Sequence, residues 1–141
     1  MIRKARRADI PLIFDIFAED IPGAWPSEAL AEALSDKTMK LLVWEEDAIL
    51  GALLLKTCME ETEILLIATR REARRRGIAR RLLAHAIEEA EAGTQFFLEV
   101  RSQSEAAIAL YSALGFAPFS VRKQYYRHPV DDAVCMKFGK I

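Results

Sequence analysis

Cysteine and long apolar segments are scarce in this sequence of 141 residues. The two cysteines, Cys58 and Cys135, are far apart and lie in apolar runs, so we expect two buried thiols rather than a disulfide framework. No apolar run reaches the roughly 18 residues that a membrane-spanning helix needs. The amino-terminal residues also lack the apolar region of a signal peptide. We therefore expect a cytoplasmic protein with no membrane partner.

Several motifs that bind nucleotides or metals are missing as well. Neither the Walker pattern G-x-x-x-x-G-K-[ST] nor the dinucleotide fingerprint G-x-G-x-x-G occurs. The two histidines, His85 and His128, belong to no cluster with metal-ligand spacing. The sequence thus predicts no bound metal and no classical mononucleotide or dinucleotide site.

The charge is nearly balanced overall but uneven along the chain. The formal net charge is -1, yet the segment 70–83 holds seven arginines and one acid, and the remaining chain carries 13 basic and 20 acidic residues. A general nucleic-acid binder is usually basic over a whole face, and no RNA-binding signature is present. A local positive site on an acidic body therefore favours a small anionic ligand over a nucleic-acid partner.

A length of 141 residues is typical of one domain, which we expect over residues 1–141, as a monomer or weak dimer. The predicted order is a strand, two helices, three strands, a helix, a strand, a helix and two strands. This order combines an antiparallel meander with a parallel crossover, which indicates an α/β or α+β fold with one central mixed sheet and about four helices. The strands are expected at 2–5, 39–45, 48–58, 62–69, 94–100, 117–126 and 133–138, with a loop at 21–27.

Polar residues and glycines mark the expected ends of these helices. Asp9 and Ser27 are predicted to cap the first two helices. Gly93 and Gly115 are predicted to close the other two. Ser102 and Glu105 have the spacing of a capping box. The solid apolar run at 62–69 predicts a strand buried on both faces.

The arginine-rich stretch contains the pattern R-x-x-G-x-A at residues 74–79, between a predicted strand and a predicted helix. Free N–H groups and the helix dipole favour an anion at such a helix start. The small residues Gly77 and Ala79 leave room for the anion to approach, and arginines add charge-assisted hydrogen bonds. This arrangement suits a pyrophosphate. The alternative is a solvated helix start, and Arg70, Arg71 and Arg81 are each expected to be solvated.

With "LEVRSQSEAAIALYSALGF" at 98–116 and "RKQYYRHPVDDAVCMK" at 122–137, this pattern resembles the GNAT acyltransferases, and within them the ribosomal-protein-alanine (RimI-type) N-acetyltransferases. The resemblance implies a mixed, mostly antiparallel sheet that is splayed open around acetyl-CoA. It implies that the β backbone at 67–69 holds the pantetheine arm and that the arginine loop holds the pyrophosphate. The implied acetyl-CoA residues are Ile67, Ala68, Thr69, Arg74, Arg75, Arg76, Gly77, Ile78, Ala79, Arg80 and Ser104.

Two residues are implied as the catalytic acid and base. At the position of Glu99 the family has its general base, and the tyrosine of "ALY", here Tyr111, is its general acid. From the residues alone, Glu99 could equally be an exposed strand-end acid or a partner of Arg101. Tyr111 could equally be a core aromatic with its hydroxyl at the rim. Where the family often has asparagine, this chain has Ser104.

The expected acceptor is the α-amine of a protein, in particular a ribosomal protein with an N-terminal alanine, attacked directly in a ternary complex. Trp25, Tyr125 and Tyr126 are candidate walls of a peptide groove, and Asp131 and Asp132 could attract a basic substrate tail. Two alternatives stay open. One is an acetyltransferase acting on a small-molecule amine or a lysine, and the other is a non-catalytic CoA-binding or interaction domain.

Overall fold

The computed structural model describes residues 1–21 and 25–141, so residues 22–24 of the expected loop lie outside it. Within the described residues, the strands and α-helices follow in the predicted order, with two additional short 3-10 turns. They are β1 (Ile2–Lys4), α1 (Ile10–Asp20), α2 (Ser27–Ala33), β2 (Met39–Glu45), β3 (Ile49–Cys58), β4 (Glu61–Thr69), α3 (Ile78–Glu89), β5 (Gln95–Arg101), α4 (Glu105–Ala113), β6 (Ala117–Arg127) and β7 (Val130–Gly139).

One mixed sheet holds all these strands in the order β1-β2-β3-β4-β5-β7-β6. Its pairs are antiparallel except for β4 and β5, which confirms the mixed, mostly antiparallel sheet. Within the described residues, β4 and β5 pair only along 61–63 and 95–97, near their starts. The register also shifts where Leu66 faces Leu54 but Ile64 faces Leu55, which leaves Leu65 as the extra residue of a bulge. The sheet is therefore open beyond these pairs, as the resemblance implied.

Two hydrophobic cores cover the two faces of the sheet. One core joins α1 and α2 to β2, β3 and β4, and the other joins α3 and α4 to β3, β4, β5 and β7. In β4, Leu66 and Ala68 are buried in the first core and Ile64 in the second. Leu65 and Ile67 are only half-buried, so the expected burial of this strand on both faces is confirmed in part.

The N-terminal ends of two helices differ from the prediction. In α2, Ser27 is the first helical residue and Pro26 takes the cap position, where its fixed φ of -71° suits the extended entry to the helix. Asp9 does precede α1, but its carboxylate does not cap the helix. It accepts instead from the Arg6 backbone at 2.8 Å and from the Arg3 side chain. A charge-assisted pair thus replaces the local cap.

The predicted capping box before α4 is also wrong. The helix begins at Glu105, after Ser104, and no side chain caps it. The hydroxyl of Ser102 donates to Asp131 on β7, and the backbone N–H of Gln103 donates to the same carboxylate, so a distant acid holds this segment in place of a local cap. Gly115 follows α4 as predicted, with φ of +102°.

A lysine donates hydrogen bonds to the free carbonyl oxygens at the end of α3. The helix stops at Glu89, before Gly93, and the Lys140 Nζ donates to the carbonyl oxygens of Ile87, Glu88 and Ala90 at 2.8, 2.8 and 2.5 Å. A cation at this end complements the helix dipole. The helix therefore ends through a residue distant in sequence, and Gly93 belongs to the turn that follows.

The two cysteines differ in burial. Cys135 is buried, as predicted, with 5% of its surface exposed. Cys58 is exposed, so that prediction is wrong. The last residues of β3, from Lys56 to Cys58, are all exposed, and neither hydrophobic core of the described residues includes them.

Arg3 fastens the start of the chain to the sheet. Its guanidinium donates to both oxygens of Asp9 at 2.7 and 3.1 Å and to both oxygens of Glu45 at 2.8 and 3.1 Å. Asp9 is buried, and the hydrogen bond from Arg3 is the main cause that lowers the pKa of its carboxyl. A lowered pKa stabilises the fold above the ordinary aspartate pKa, and that contribution is lost as the pH falls through the lowered value.

We expect Arg3→Met to lower the free energy of unfolding by about 2 kcal/mol at neutral pH, between the values for exposed and buried ion pairs. The difference from the wild type should shrink at acid pH, as the pH falls through the lowered pKa of Asp9 and its carboxyl becomes protonated in both proteins. Urea unfolding at neutral and at acid pH measures this, with Lys4→Met as a control that removes a neighbouring charge. A loss that does not change with pH would contradict the role of the carboxylate.

Candidate active site

The gap between β4 and β5 opens into two adjoining cavities. The first, the α4 cavity, has a volume of about 630 Å³, and the second, the β6 cavity, about 710 Å³. Both are bounded by residues 64–66 of β4 and by Leu98 and Glu99 of β5. α4 contributes Ser104, Ala107 and Tyr111 to the first cavity, and β6 contributes Phe119, Arg122 and Tyr125 to the second. The opening of the sheet therefore creates one continuous cleft.

The backbone of β4 faces this gap at alternate residues. The N–H of Arg70 donates to the carbonyl of Leu50 at 2.8 Å, and Ala68 lies opposite Ala52. Because hydrogen-bonded and non-bonded pairs alternate along an antiparallel ladder, the polar backbone groups of Ala68 point to β3. Those of Ile67 and Thr69 point to the side that β5 has left. Of the three residues expected to bind pantetheine through the backbone, these two face the cleft.

The loop before α3 presents free backbone donors. Arg75 and Gly77 both have positive φ, 68° and 78°, and Gly77 is the N-cap residue of the helix. The first N–H of the helix with a backbone acceptor is that of Arg81, which donates to Gly77 at 3.0 Å. Among the described residues, no backbone acceptor is found for the N–H groups of residues 75–80. A concave run of such donors is a site for anionic oxygens.

The arginine side chains of this loop divide into two groups. Arg74 pairs with Asp20 at the end of α1, and Arg76 pairs with Glu46 at 2.5 Å. Within the described part of the chain, Arg75 and Arg80 are exposed and have no side-chain partner. They are therefore the predicted pyrophosphate ligands whose guanidinium groups are available.

Two of the arginines expected to be solvated are in contact with the protein. Arg70 donates through Nε to the carbonyl of Ile49 at 2.9 Å, and Arg81 lies over the Trp44 ring at 5.6 Å from its centroid. Both contacts join residues more than 20 positions apart, so the sequence pattern does not reveal them. Arg71 is exposed, as predicted.

Glu99 lies in the cleft, where both cavities meet. Its Oε2 is 3.3 Å from Nε of Arg122 on β6 and 4.0 Å from Sγ of Cys135 on β7. The alternative partner, Arg101, turns to the β6–β7 hairpin instead. The carboxylate is thus placed on the cleft surface and can accept a proton from a group bound in either cavity.

Tyr111 lines the α4 cavity and is 7% exposed. Burial, followed by the nearby Tyr126 and Asp20, raises the pKa of its phenol to about 12. Its ring packs edge-on against Phe116, with centroids 6.0 Å apart. The hydroxyl therefore stays protonated at neutral pH, which suits a proton donor.

The candidate groove residues lie in different places. Tyr126 lines both cavities and Tyr125 lines the β6 cavity, with their ring centroids 5.1 Å apart. Trp25 packs partly against the core beneath α1 and α2 and is not among the residues that line either cavity. Asp20 and Arg122 also line the cleft and were not predicted there: Asp20 lies outside every quoted motif, and the motif at 122–137, which begins with Arg122, implied no role for that residue.

The two acids expected to attract a substrate tail are already paired. Asp131 accepts from Ser102 and from the backbone of Gln103 at 3.2 Å, and Asp132 pairs with Lys123 at 3.3 Å. Across the described residues, no cluster of three or more potential metal ligands is found, and no helix has the length and apolar character needed to cross a membrane.

Comparison with known proteins agrees with this geometry. Residues 10–116 match the model of the acetyltransferase (GNAT) family. A [ribosomal protein bS18]-alanine N-acetyltransferase of Salmonella typhimurium is 34% identical over 120 residues, which are 76% of this chain and 81% of that protein. The N-alpha-acetyltransferase RimI of Mycobacterium tuberculosis is 44% identical over 62 residues, 44% of this chain and 39% of that protein.

The fold agrees equally well. The crystal structure of the ribosomal-protein-S18-alanine N-acetyltransferase from Escherichia coli superimposes with a TM-score of 0.88 at 26% identity, covering 98% of this chain and 92% of that one. An open mixed sheet, a donor-rich loop before α3 and a carboxylate and a phenol in one cleft thus accompany a family match over most of the sequence. The chain belongs to the GNAT family of acetyltransferases.

Proposed function

We propose that the protein transfers the acetyl group of acetyl-CoA to the N-terminal α-amine of a protein, with a ribosomal protein that begins with alanine as the first candidate. One observation carries the proposal: Glu99 and the protonated Tyr111 line the same cavity, at the point where β4 and β5 separate. Acetyl transfer to an amine needs a proton acceptor and a proton donor at one site. The names of the relatives support the choice of acceptor.

Acetyl-CoA fits the cleft as the donor substrate. The free N–H groups of residues 75–80 and the guanidinium groups of Arg75 and Arg80 would hold its pyrophosphate. The outward backbone of Ile67 and Thr69 offers hydrogen bonds to the amides of the pantetheine arm. Ser104, on the α4 side of the same cavity, is a further donor. Acetyl-CoA would thus extend from the loop before α3, called the anion loop below, into the α4 cavity.

The transfer itself would proceed by direct attack. Glu99 accepts a proton from the acceptor ammonium, and the neutral nitrogen forms a bond to the thioester carbon. The carbon–sulfur bond then breaks, and the Tyr111 hydroxyl gives its proton to the departing thiolate. The second proton lost by the nitrogen, as the amide forms, replaces the one on the Tyr111 oxygen. Each proton therefore has a named group at the cleft surface, and no acyl-enzyme is needed.

The choice of an α-amine also has a physical reason. Its reference pKa is about 7.7–8.0, against about 10.4 for lysine. At neutral pH an α-amine is easier to deprotonate by about 2.5 units, or roughly 3.4 kcal/mol. A single exposed carboxylate such as Glu99 is better suited to deprotonating an α-amine than to deprotonating a lysine.

A peptide panel tests the proposal. Acetyl-CoA would be incubated with the enzyme and peptides that begin with free Ala, Ser or Met, with an N-blocked lysine peptide and with a polyamine. Mass spectrometry then locates the acetyl group, and the Ala peptide with a blocked amine serves as the control. Label on the free α-amine is expected. Label only on the lysine or the polyamine would contradict the proposed acceptor and leave the family assignment unchanged.

Glu99→Gln is expected to lower kcat/KM about tenfold near pH 7, because only about a tenth of the α-amine is neutral there. Activity should approach the wild type near pH 9, where the amine deprotonates without help. A pH profile of both enzymes measures this, with Glu60→Gln in the exposed β3–β4 turn as the control. A loss that is equal at all pH values would show that Glu99 has a structural role instead.

A further inference from the structure

We infer that Arg101 is a positioning residue that holds the β6–β7 hairpin tip against the cleft, so that Tyr126 forms the wall where the two cavities meet. The hairpin tip comprises residues 126–131. The inference deepens the proposed function, on which it rests, because it assigns the residue that keeps the acceptor side of the cleft in shape. Arg101 itself does not take part in the proton transfers.

The contacts of Arg101 all reach the hairpin tip. Its two terminal nitrogens donate to the carbonyl oxygens of Pro129 at 2.8 Å and His128 at 3.2 Å. Its guanidinium also lies 4.2 Å from the centroid of the Tyr126 ring. A planar fork that binds two carbonyls and stacks on an aromatic face is specific to arginine. One side chain thus fixes both the backbone of the tip and the ring.

Asp131 forms a second set of contacts that holds the hairpin tip, next to those of Arg101. The buried carboxylate of Asp131 accepts from the Ser102 hydroxyl, from the backbone of Gln103 at 3.2 Å and from the backbone of Asp132 at 2.7 Å. Ser102 and Gln103 directly follow Arg101, in the link from β5 to α4. The tip is therefore bound at two points to the segment that separates Glu99 from Tyr111.

The sheet alone does not fix the tip. Between Arg122 and Tyr126 the register of β6 against β7 shifts, and Gln124 has a positive φ of 50°. Only two registered pairs of this hairpin follow the shift. Apart from Tyr126, every residue of β6 is exposed. Since β6 is also the edge strand, the contacts of Arg101 are needed to hold the tip in place.

Tyr126 is the part of the tip that matters for the reaction. It lines both cavities, together with Leu98 and Glu99 of β5. Burial, followed by the charge of Glu99, raises the pKa of its phenol to about 12, so the hydroxyl is a neutral donor beside the base. A displaced ring would widen the space around the acceptor amine. We therefore expect Arg101 to affect the binding of the acceptor more than the binding of acetyl-CoA.

Arg101→Met is expected to raise the KM for the acceptor peptide about tenfold, as the loss of one cation–π contact and two hydrogen bonds predicts. The kcat and the dissociation constant of acetyl-CoA should stay within about twofold of the wild type. The KM of Arg101→Lys should lie between those of the wild type and Arg101→Met, because an ammonium can keep the contact with the Tyr126 ring but cannot bind both carbonyl oxygens. The control is Lys123→Met, which removes an exposed ion pair of the same hairpin and should leave KM unchanged.

A double-mutant cycle with Tyr126→Ala separates positioning from a general loss of stability. If Arg101 acts through Tyr126, the second substitution should add little to the KM of Arg101→Met. Additive effects, or a lower melting temperature with an unchanged KM, would overturn the inference.

Hydrogen exchange gives a readout that needs no acceptor. The amides of residues 124–131 should exchange at least about tenfold faster in Arg101→Met than in the wild type or in Lys123→Met. Unchanged protection would overturn the inference even if the peptide panel had already refuted the proposed acceptor. Faster exchange together with no α-amine acetylation would instead contradict the proposed function alone.

Discussion

Replacement of Tyr111 by phenylalanine is expected to lower kcat about 100-fold and to leave the affinity for acetyl-CoA within about twofold of the wild type. The reason is the protonation state of the phenol. Its pKa of about 12 keeps the proton on the oxygen across the working range, and the hydroxyl is the candidate donor to the thiolate in the α4 cavity. Phenylalanine keeps the ring contact with Phe116 and removes only the hydroxyl group that carries the proton.

Steady-state kinetics and acetyl-CoA titration measure this effect. The melting temperature should change little, because the packing of the ring is preserved. An acid must be protonated to act, and a pKa of about 12 means that the wild-type kcat should not fall through this group below about pH 10. Unchanged turnover in Tyr111→Phe would remove Tyr111 from the mechanism. A higher dissociation constant with an unchanged kcat would make it a binding residue.

The order of the elements was predictable because it depends on local signals. Alternating or helical apolar patterns and turn residues marked every strand and helix, and the parallel pairing of β4 with β5 followed from the crossover between them. The placement of Glu99 and Tyr111 in one cleft was implied by the motif resemblance, and both residues do line the α4 cavity. The twelve-residue spacing between Glu99 and Tyr111 did not by itself predict that the two side chains line one cavity.

Three of the wrong predictions of helix ends share one physical cause, which is competition from partners distant in sequence. Ser102 has the spacing of a cap, but its hydroxyl donates to Asp131 on another strand, which holds it away from the cap geometry. Likewise, Asp9 stands at the cap position of α1, but its carboxylate accepts from Arg3 instead of from the helix. The end of α3 is set by Lys140, which no local pattern connects to the helix. Capping rules compare local alternatives only, so they fail wherever the tertiary fold supplies a charged group.

The arginine stretch shows a finer version of the same limit. The sequence predicted a cluster of cations around an anion site, and the backbone geometry at Arg75 and Gly77 supports that role. It could not show that Arg74 is paired with Asp20 and Arg76 with Glu46. These pairs connect the loop to α1 and to the β2–β3 turn. The ion pairs therefore connect the loop to its neighbours, while the guanidinium groups of Arg75 and Arg80 and the free N–H groups stay available to the proposed pyrophosphate.

Gly77→Trp is expected to abolish measurable binding of acetyl-CoA, with a rise of at least about 100-fold in the dissociation constant. A Cβ at Gly77 would meet no protein atom within 4 Å, so the indole would extend into the space beside the free N–H groups of the loop. That space is where the pyrophosphate oxygens must approach. The side chain would therefore exclude the ligand without a clash inside the protein.

Backbone strain is the effect that must be separated from this exclusion, because Gly77 has a φ of +78° and any larger residue there costs roughly 1–2 kcal/mol. Gly93 provides the matched control. Its φ is +90°, its Cβ would also meet nothing within 4 Å, and it lies in the turn after α3, away from the anion loop. Gly93→Trp should lose similar stability and still bind acetyl-CoA in calorimetric titration. Equal binding by both variants would place the pyrophosphate elsewhere, and equal loss would assign the effect to strain.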